Sequence, residues 1–89
     1  MAEPEVFPIQ YPLEFPLKIM GRNQPGFTQK VLAIVQRHAP DFDPAKVETR
    51  PSRKSSYLSL TCVINATSRE QLDALYTELS GDPAVVMVL

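Results

Sequence analysis

The segment from Tyr57 to Asn65 constrains the fold more than any other part of the chain. Its apolar residues alternate strictly with a second, mostly polar set, and the apolar set is Leu58, Leu60, Cys62 and Ile64. This period of two is typical of a β-strand that buries one face and leaves the other open. A strand of the same kind is predicted from Phe15 to Gly21, where Leu17 and Ile19 continue the apolar side. The chain therefore needs cover for one face of a sheet.

Two segments with helical periodicity can supply that cover. The first helix is predicted from about Pro25 to His38, with Asn23 as its N-cap. The second is predicted to begin at a capping box formed by Ser68 and Gln71 and to end with Gly81 as its C′ residue. Each carries one apolar stripe, so each can pack against the sheet.

Two weaker strands complete the pattern. The segment from Val47 to Ser52 contains Pro51, which a sheet tolerates mainly at an edge, and the segment from Ala84 to Leu89 is too short for a helix. The βαββαβ order predicts an α+β ferredoxin-like sandwich, a four-stranded antiparallel sheet with two helices on one face and strands one and three in the centre. The predicted core is Phe15, Leu17, Ile19, Phe27, Val31, Ile34, Val35, Leu58, Leu60, Cys62, Ile64, Leu72, Leu75 and Leu79.

The chain has room for one such domain. Its 89 residues fall in the range of a single globular unit with one core. Proline recurs at positions 4, 8, 12 and 16, which disfavours regular structure near the N-terminus. We therefore predict a flexible proline-rich tail at residues 1–12 and a single ferredoxin-like domain at residues 13–89.

The charge balance and the cysteine count exclude several classes of function. A net charge of −1 provides no broad positive field, so neither nucleic acid nor a membrane is an expected partner. The single cysteine, Cys62, leaves no intramolecular disulfide and no multi-cysteine metal site, and no cofactor is predicted. The N-terminal residues lack the apolar run of a signal peptide, so a cytoplasmic location is expected.

Four separated segments carry a family resemblance. They are Phe15-Pro16-Leu17-Lys18-Ile19-Met20-Gly21, Val35-Gln36-Arg37-His38-Ala39-Pro40, Ile64-Asn65-Ala66-Thr67 and Val86-Met87-Val88-Leu89. Together they closely resemble the YbeD-like family of small bacterial proteins, from about Leu13 to the C-terminus. The resemblance implies a fold similar to ACT regulatory domains and no established activity. The chain departs from the family at Ser55 and Ser56, where glycine is common, so a hairpin that needs a positive φ would be strained here.

The loop after the first strand is the candidate ligand site. Asn23-Gln24-Pro25-Gly26 is similar to the Asp/Asn-x-Pro-Gly loop of ACT domains, which lies at an effector site there. Gly26 would let a small carboxylate approach the N–H groups of a helix N-terminus, and Arg22 would add a charged hydrogen bond. The candidate ligand-binding residues are therefore Arg22, Asn23, Pro25 and Gly26. The alternative is that they only start the helix.

The last strand is apolar on both faces although it is predicted at a sheet edge. In a sheet with one open face, an edge strand should alternate between apolar and polar residues. The excess predicts a cover for the outer face or edge: a second copy in a homodimer, the N-terminal tail, or a protein partner. The candidate interface residues are Tyr57, Val85, Met87 and Leu89.

The sequence contains no recognisable catalytic set. His38 lies in the last turn of the first helix without an identifiable nucleophile, and Cys62 faces the core. We therefore expect a non-catalytic ACT-like regulatory or binding module that senses a small ligand or docks on a partner protein. The alternatives are a pure protein-interaction adaptor and an RNA-binding domain, for which Tyr57 is the one aromatic residue predicted on the open face.

Overall fold

The computed structural model describes residues 10–89, so most of the predicted N-terminal tail lies outside the described residues. The elements are β1 (Leu13–Arg22), α1 (Phe27–His38), β2 (Glu48–Pro51), β3 (Tyr57–Ala66), α2 (Arg69–Gly81) and β4 (Val85–Val88), with a 3-10 turn at Pro44–Lys46. The strands form one four-stranded antiparallel sheet in the order β2-β3-β1-β4. This confirms the predicted ferredoxin-like fold, with β1 and β3 central. Neither α1 nor α2 has the length and apolar character needed to span a membrane.

The centre of the sheet is the pairing of β1 with β3. The two strands pair antiparallel along their whole length, with Leu17 opposite Cys62 and Ile19 opposite Leu60. All four of these side chains are fully buried. The alternation visible in the sequence thus becomes one continuous apolar face.

Both helices pack on this one face, because the buried side chains of α1 and α2 join those of β1 and β3 in a single core. The helices contribute Phe27, Val31, Ile34, Val35, Leu72, Leu75 and Leu79. The predicted core is confirmed except at Phe15 and Leu58, which are half-buried at its margin. Periodicity missed Ala39, Phe42 and Ala66, which are buried at the ends of elements or in the loop after α1.

The helix α1 begins later than predicted, and the prediction of Asn23 as its N-cap was wrong. The helix starts at Phe27 and is preceded by Gly26 with a φ of 84°. The carbonyl of Gly26 accepts the N–H of Lys30 at 3.0 Å. A left-handed φ suits glycine because it has no Cβ, so the turn at Pro25 and Gly26 sets the start of the helix without a side-chain cap.

The start of α2 is confirmed, whereas its end differs from the prediction. Ser68 Oγ accepts the N–H of Gln71 at 3.1 Å. The side chain of Gln71 has further partners, since its Nε2 donates to the carbonyl of His38 at 2.7 Å and its Oε1 accepts the N–H of Thr67 at 2.6 Å. Gln71 therefore joins the start of α2 to the end of α1. Gly81 is the last helical residue and not a left-handed C′ residue.

The hairpin between β2 and β3 requires the backbone geometry that was expected to be difficult at Ser55 and Ser56. Ser55 has a φ of 59°, a conformation that costs a non-glycine residue about 1–2 kcal/mol. The N–H of Ser55 donates to the carbonyl of Ser52 at 2.9 Å. The carbonyl of Ser55 accepts Nδ2 of Asn23 at 2.8 Å, so the loop after β1 helps to hold the strained residue.

Gly21 lies where β1, β4 and α1 come closest together. The register between β1 and β4 shifts between Met20 and Gly21. A Cβ atom on Gly21 would lie 2.3 Å from the carbonyl oxygen of Ala84 and 2.3 Å from Cε1 of Phe27. Both distances are far below van der Waals contact, so the packing of three elements requires glycine at this position.

We expect Gly21→Ala to lower the free energy of unfolding by about 1–3 kcal/mol, because the Phe27 ring or the Ala84 backbone must move. The matched control is Gly81→Ala, whose added Cβ meets no atom within 4 Å. That control should be neutral or stabilising by up to about 1 kcal/mol, since alanine favours a helix. Chemical unfolding followed by circular dichroism measures both changes. Wild-type stability of Gly21→Ala would contradict the close packing.

Candidate functional site

The sheet face opposite the helices carries the solvent-facing side chains of all four strands, and we call it the open sheet face. It is formed by Glu14, Pro16, Lys18, Met20, Arg22, Glu48, Arg50, Tyr57, Ser59, Thr61, Val63, Asn65, Met87 and Leu89. The register places Met20 opposite Ser59 and Ser59 opposite Arg50, so these side chains form one row across three strands. Leu89 joins the face beside Lys18 through backbone hydrogen bonds of 2.8 and 3.1 Å.

The large apolar side chains that are exposed within residues 10–89 all lie on this face or on β4. They are Tyr57 (37% exposed), Val63 (50%), Val86 (53%), Met87 (46%) and Leu89 (63%). Three of the four predicted interface residues, Tyr57, Met87 and Leu89, therefore face solvent here. Val85 is the exception, because it lies opposite Gly21, is half-buried and packs against the core.

A polar depression of about 490 Å³ occupies the β2 side of the open sheet face, and we call it the polar basin. It is lined by Lys18, Glu48, Thr49, Arg50, Ser59 and Thr61. Lys18 and Arg50 are exposed, and neither forms a salt bridge with another described residue. Ser59 Oγ is buried without a hydrogen-bond partner among residues 10–89. Buried hydroxyl groups are usually paired, so the basin contains a polar group with unused hydrogen-bonding capacity.

A smaller depression of about 190 Å³ adjoins the polar basin, and we call it the apolar slot. It shares Lys18, Arg50 and Ser59 with the basin, and its other walls include Met20 and Tyr57. The polar basin and the apolar slot thus adjoin at the positively charged side chains of Lys18 and Arg50. The sequence prediction missed the basin because Lys18 and Arg50 are distant in the chain and come together only across β3. Their positions on the polar side of β1 and β2 were the available signal.

The four predicted ligand-binding residues are all exposed: Arg22 is the last residue of β1, and Asn23, Pro25 and Gly26 lie in the loop after it. Asn23 already has structural partners, since its backbone N–H donates to the carbonyl of Ser56 at 2.9 Å and its side chain to Ser55. A Cβ atom added to Gly26 would have no neighbouring atom within 4 Å. Asn23 is therefore committed to the neighbouring hairpin, whereas Pro25 and Gly26 are exposed in the loop.

Polar side chains join the end of α1 to α2, and we call this group the interhelix clasp. Glu78 accepts a hydrogen bond from Arg37, and its Oε1 lies 2.7 Å from Nε2 of His38. Hydrogen bonds from His38 and Arg37 hold the pKa of the Glu78 carboxyl below its usual value. The clasp gives His38 a structural role, because its ring joins the end of α1 to α2.

Neither His38 nor Cys62 belongs to a catalytic set in the described part of the chain. The ring of His38 hydrogen-bonds to Glu78 and to no other residue between positions 10 and 89. Cys62 is buried, and burial raises the pKa of its thiol to about 11, so the thiol is protonated and poorly nucleophilic at neutral pH. The same residues contain no group of three His, Cys, Asp or Glu side chains that could hold a metal ion.

Comparison with known sequences links the chain to a bacterial family. Residues 8–89 match the family described as "Protein of unknown function (DUF493)". A UPF0250 protein from Nitrosomonas europaea is 59% identical over 81 residues, which cover 91% of this chain and 93% of the relative. A UPF0250 protein from Bordetella pertussis is 51% identical over 86 residues, covering 97% of this chain and 94% of the relative.

Comparison with solved structures supports the fold. The solution structure of protein HP0495 from H. pylori has a TM-score of 0.77 at 16% identity and covers 100% of this chain and 94% of that chain. The crystal structure of the ACT domain from GTP pyrophosphokinase of Chlorobium tepidum has a TM-score of 0.66 at 15% identity, covering 88% and 96%. Identities this low establish a shared ACT-like architecture and nothing about activity.

The interhelix clasp predicts a pH-dependent contribution to stability. A carboxyl whose pKa is lowered by folding stabilises the fold above its unfolded pKa of about 4.3, and this contribution disappears as the pH falls through the folded pKa. We therefore expect the wild type to lose stability between about pH 5 and pH 3 more steeply than Glu78→Gln. Thermal unfolding midpoints across that range measure the difference.

The matched control for this experiment is Glu70→Gln, which removes an exposed carboxyl from the same helix outside the clasp. It should retain the steep loss of stability shown by the wild type. If the profiles of wild type and Glu78→Gln were parallel, Glu78 would have no part in holding the two helices together.

Proposed function

This chain belongs to the family described as "Protein of unknown function (DUF493)", and we propose that it is a non-catalytic ACT-like module that docks on a protein partner through its open sheet face and β4. Docking would regulate or assemble that partner. The observation that carries the proposal is the confinement of large exposed apolar side chains to this face and strand. Large apolar side chains gathered on one exposed surface mark interaction sites in soluble proteins.

The exposed apolar side chains of β4 favour a covered state. About half or more of Val86 and Leu89, at 53% and 63%, remains in water, and Met87 is 46% exposed. Burial of apolar surface contributes about 25 cal/mol per Å², so an occupant that covers both this face and β4 would gain affinity from each of these side chains. Within the described sheet β4 pairs with β1 alone, which leaves its outer edge open to an added strand.

The ACT domain of the Chlorobium tepidum protein offers an analogy for this arrangement. There the fold is one domain of a larger enzyme, GTP pyrophosphokinase. A small chain with the same architecture would perform a comparable task as a separate subunit, provided that it has a surface for the partner. The open sheet face supports that proposal, and the analogy adds no residue to it.

The test is the double variant Met87→Lys/Leu89→Lys, which places two charges on the open sheet face. Recovery of the partner by affinity capture from a native bacterial lysate should fall at least about tenfold, because two desolvated lysines oppose apolar contact. Quantitative mass spectrometry of the captured proteins, against wild type, gives the ratio. Sedimentation at several concentrations shows whether the partner is a second copy, in which case the wild-type dimer should dissociate in the variant.

The matched control is Ala33→Lys/Ala74→Lys, which adds the same charges at exposed positions on α1 and α2. It should recover the same proteins as the wild type, and thermal unfolding should show that both double variants are folded. Equal recovery by the wild type and the Met87→Lys/Leu89→Lys variant would show that the face is not the docking surface.

A second candidate function is the binding of a small carboxylate at the loop after β1. The supporting observation is that no side chain caps the N-terminus of α1. The space around Gly26, just before the first turn, is also empty, since a Cβ atom added there would have no neighbour within 4 Å. Unpaired N–H groups in a first helical turn favour anions. Arg22 is the exposed last residue of β1, at the start of the same loop, and would supply a charged hydrogen bond.

Titration with amino acids and small dicarboxylates, followed by backbone amide chemical shifts, tests this second function. A ligand at this loop should shift the amides of residues 22–27, and Arg22→Gln should abolish or weaken the shifts. The control Arg53→Gln removes an exposed cation from the neighbouring hairpin and should leave them unchanged. Shifts that are absent at millimolar ligand, or equal in both variants, would remove the loop as a binding site.

A further inference from the structure

The polar basin brings two cations to one place on the open sheet face. Lys18 in β1 lies opposite Thr61 of β3, and Arg50 in β2 lies opposite Ser59 of the same strand. Two interstrand spacings amount to about 10 Å, which the long side chains of lysine and arginine can span from either side. Both cations can therefore converge on one group bound above β3.

These two cations differ from those on the helical side of the molecule. Lys30 pairs with Asp82 at 3.3 Å, Arg37 pairs with Glu78, and Arg69 pairs with Asp73 at 3.8 Å. Lys18 and Arg50 have no acidic partner within residues 10–89, although Glu48 lines the same basin. The basin consequently keeps a net positive charge of one, and its charged hydrogen-bond donors remain available for an anionic group.

The apolar slot adds an apolar surface beside the basin. A small anion has no apolar group that could be buried there. The slot is bounded by Met20 and Tyr57 and shares Lys18 and Arg50 with the basin. Both depressions are open, whereas small-molecule sites enclose most of the ligand. An occupant gains most if it places a carboxylate between the cations and an apolar side chain in the slot.

We propose that the polar basin and the apolar slot together recognise an extended segment of a protein partner that carries an acidic residue next to an aromatic or aliphatic one. The carboxylate binds Lys18 and Arg50, and the apolar side chain packs on Met20 and Tyr57. This inference rests on the proposed docking function and specifies the chemistry of the partner.

Other occupants fit the open sheet face less well. A nucleic acid would meet the acidic Glu48 in the basin and a chain of net charge −1, with Tyr57 as the aromatic ring available for stacking. A second copy that used this same face would oppose like cations if the two-fold axis passed through the basin, and would offer Lys18 and Arg50 only the few carboxylates of that face, such as Glu48, elsewhere. An acidic and apolar segment matches both the charge and the two adjoining surfaces.

The experiment selects a phage-displayed library of random linear peptides on three forms of the full chain. They are the wild type, the basin variant Lys18→Gln/Arg50→Gln, and the control Arg53→Gln/Lys54→Gln, which removes the same charge from the exposed hairpin tip. Wild type and control should enrich peptides with Asp or Glu beside an aromatic or aliphatic residue. The basin variant should not enrich them.

The dissociation constant of one enriched peptide, made synthetically, measures how much the charge contacts contribute to affinity. Replacing its acidic residue with the amide, or using the basin variant, should weaken binding about fivefold or more, because two exposed charge contacts are lost. Added salt should weaken wild-type binding and leave binding to the basin variant nearly unchanged. Glu48→Gln should bind the peptide more tightly than the wild type, since it removes the repelling carboxylate.

Several results would overturn the inference. One is enrichment of peptides without acidic residues, and another is no enrichment on any form. A third is equal binding of the peptide by the wild type and the basin variant. The last is that free glutarate or oligouridylate binds the basin more tightly than the peptide does. Peptides that lack acidic residues yet depend on Met87 and Leu89 would leave the docking function in place. Failure of the docking function itself appears separately, as unchanged partner recovery by the Met87→Lys/Leu89→Lys variant.

Discussion

The antiparallel pairing of β1 with β3 is the interaction on which the rest of the structure depends. It sets Leu17 beside Cys62 and Ile19 beside Leu60 on the buried side, and by the same register it sets Lys18 beside Thr61 on the open side. A slip of one residue would exchange the two faces of a strand. The close approach at Gly21 adds a second constraint, since the Phe27 ring and the Ala84 backbone leave no room for a side chain at this position of β1.

The division between the two faces follows from the number of helices. Two helices cover one side of a four-stranded sheet, and residues 10–89 supply no third element for the other side. The uncovered side would ordinarily be polar, as it is at Ser59 and Thr61. Its exposed apolar side chains are Tyr57, Val63, Met87 and Leu89, and the cations Lys18 and Arg50 lie between them in the basin over β3. A surface on which charged and apolar positions adjoin can orient an extended occupant as well as hold it.

Much of the fold was predictable because a strict period of apolar residues shows which side chains of a strand or helix are buried. The alternation of β3 predicted its bounds closely, and the stripe of α2 gave its buried leucines together with the Ser68 cap. Asn23 was misassigned because asparagine is a good N-cap in general, whereas here the Pro25-Gly26 turn delays the helix. Phe42 was missed because it lies in a loop without a period. The polar basin was missed because it arises from the register of three strands, and the polar positions of Lys18 and Arg50 gave only a weak sign of it.

The hydrogen bond from the Asn23 side chain to the Ser55 carbonyl links two loops at one end of the sheet. One loop precedes α1, and the other follows the strand that carries Arg50 and leads into β3. Because Ser55 has a positive φ, loss of this hydrogen bond removes one of the contacts that hold its conformation. The approach to α1 and the tip of the β-hairpin are thus tied together by one amide group, and a change that displaces either loop withdraws support from the other.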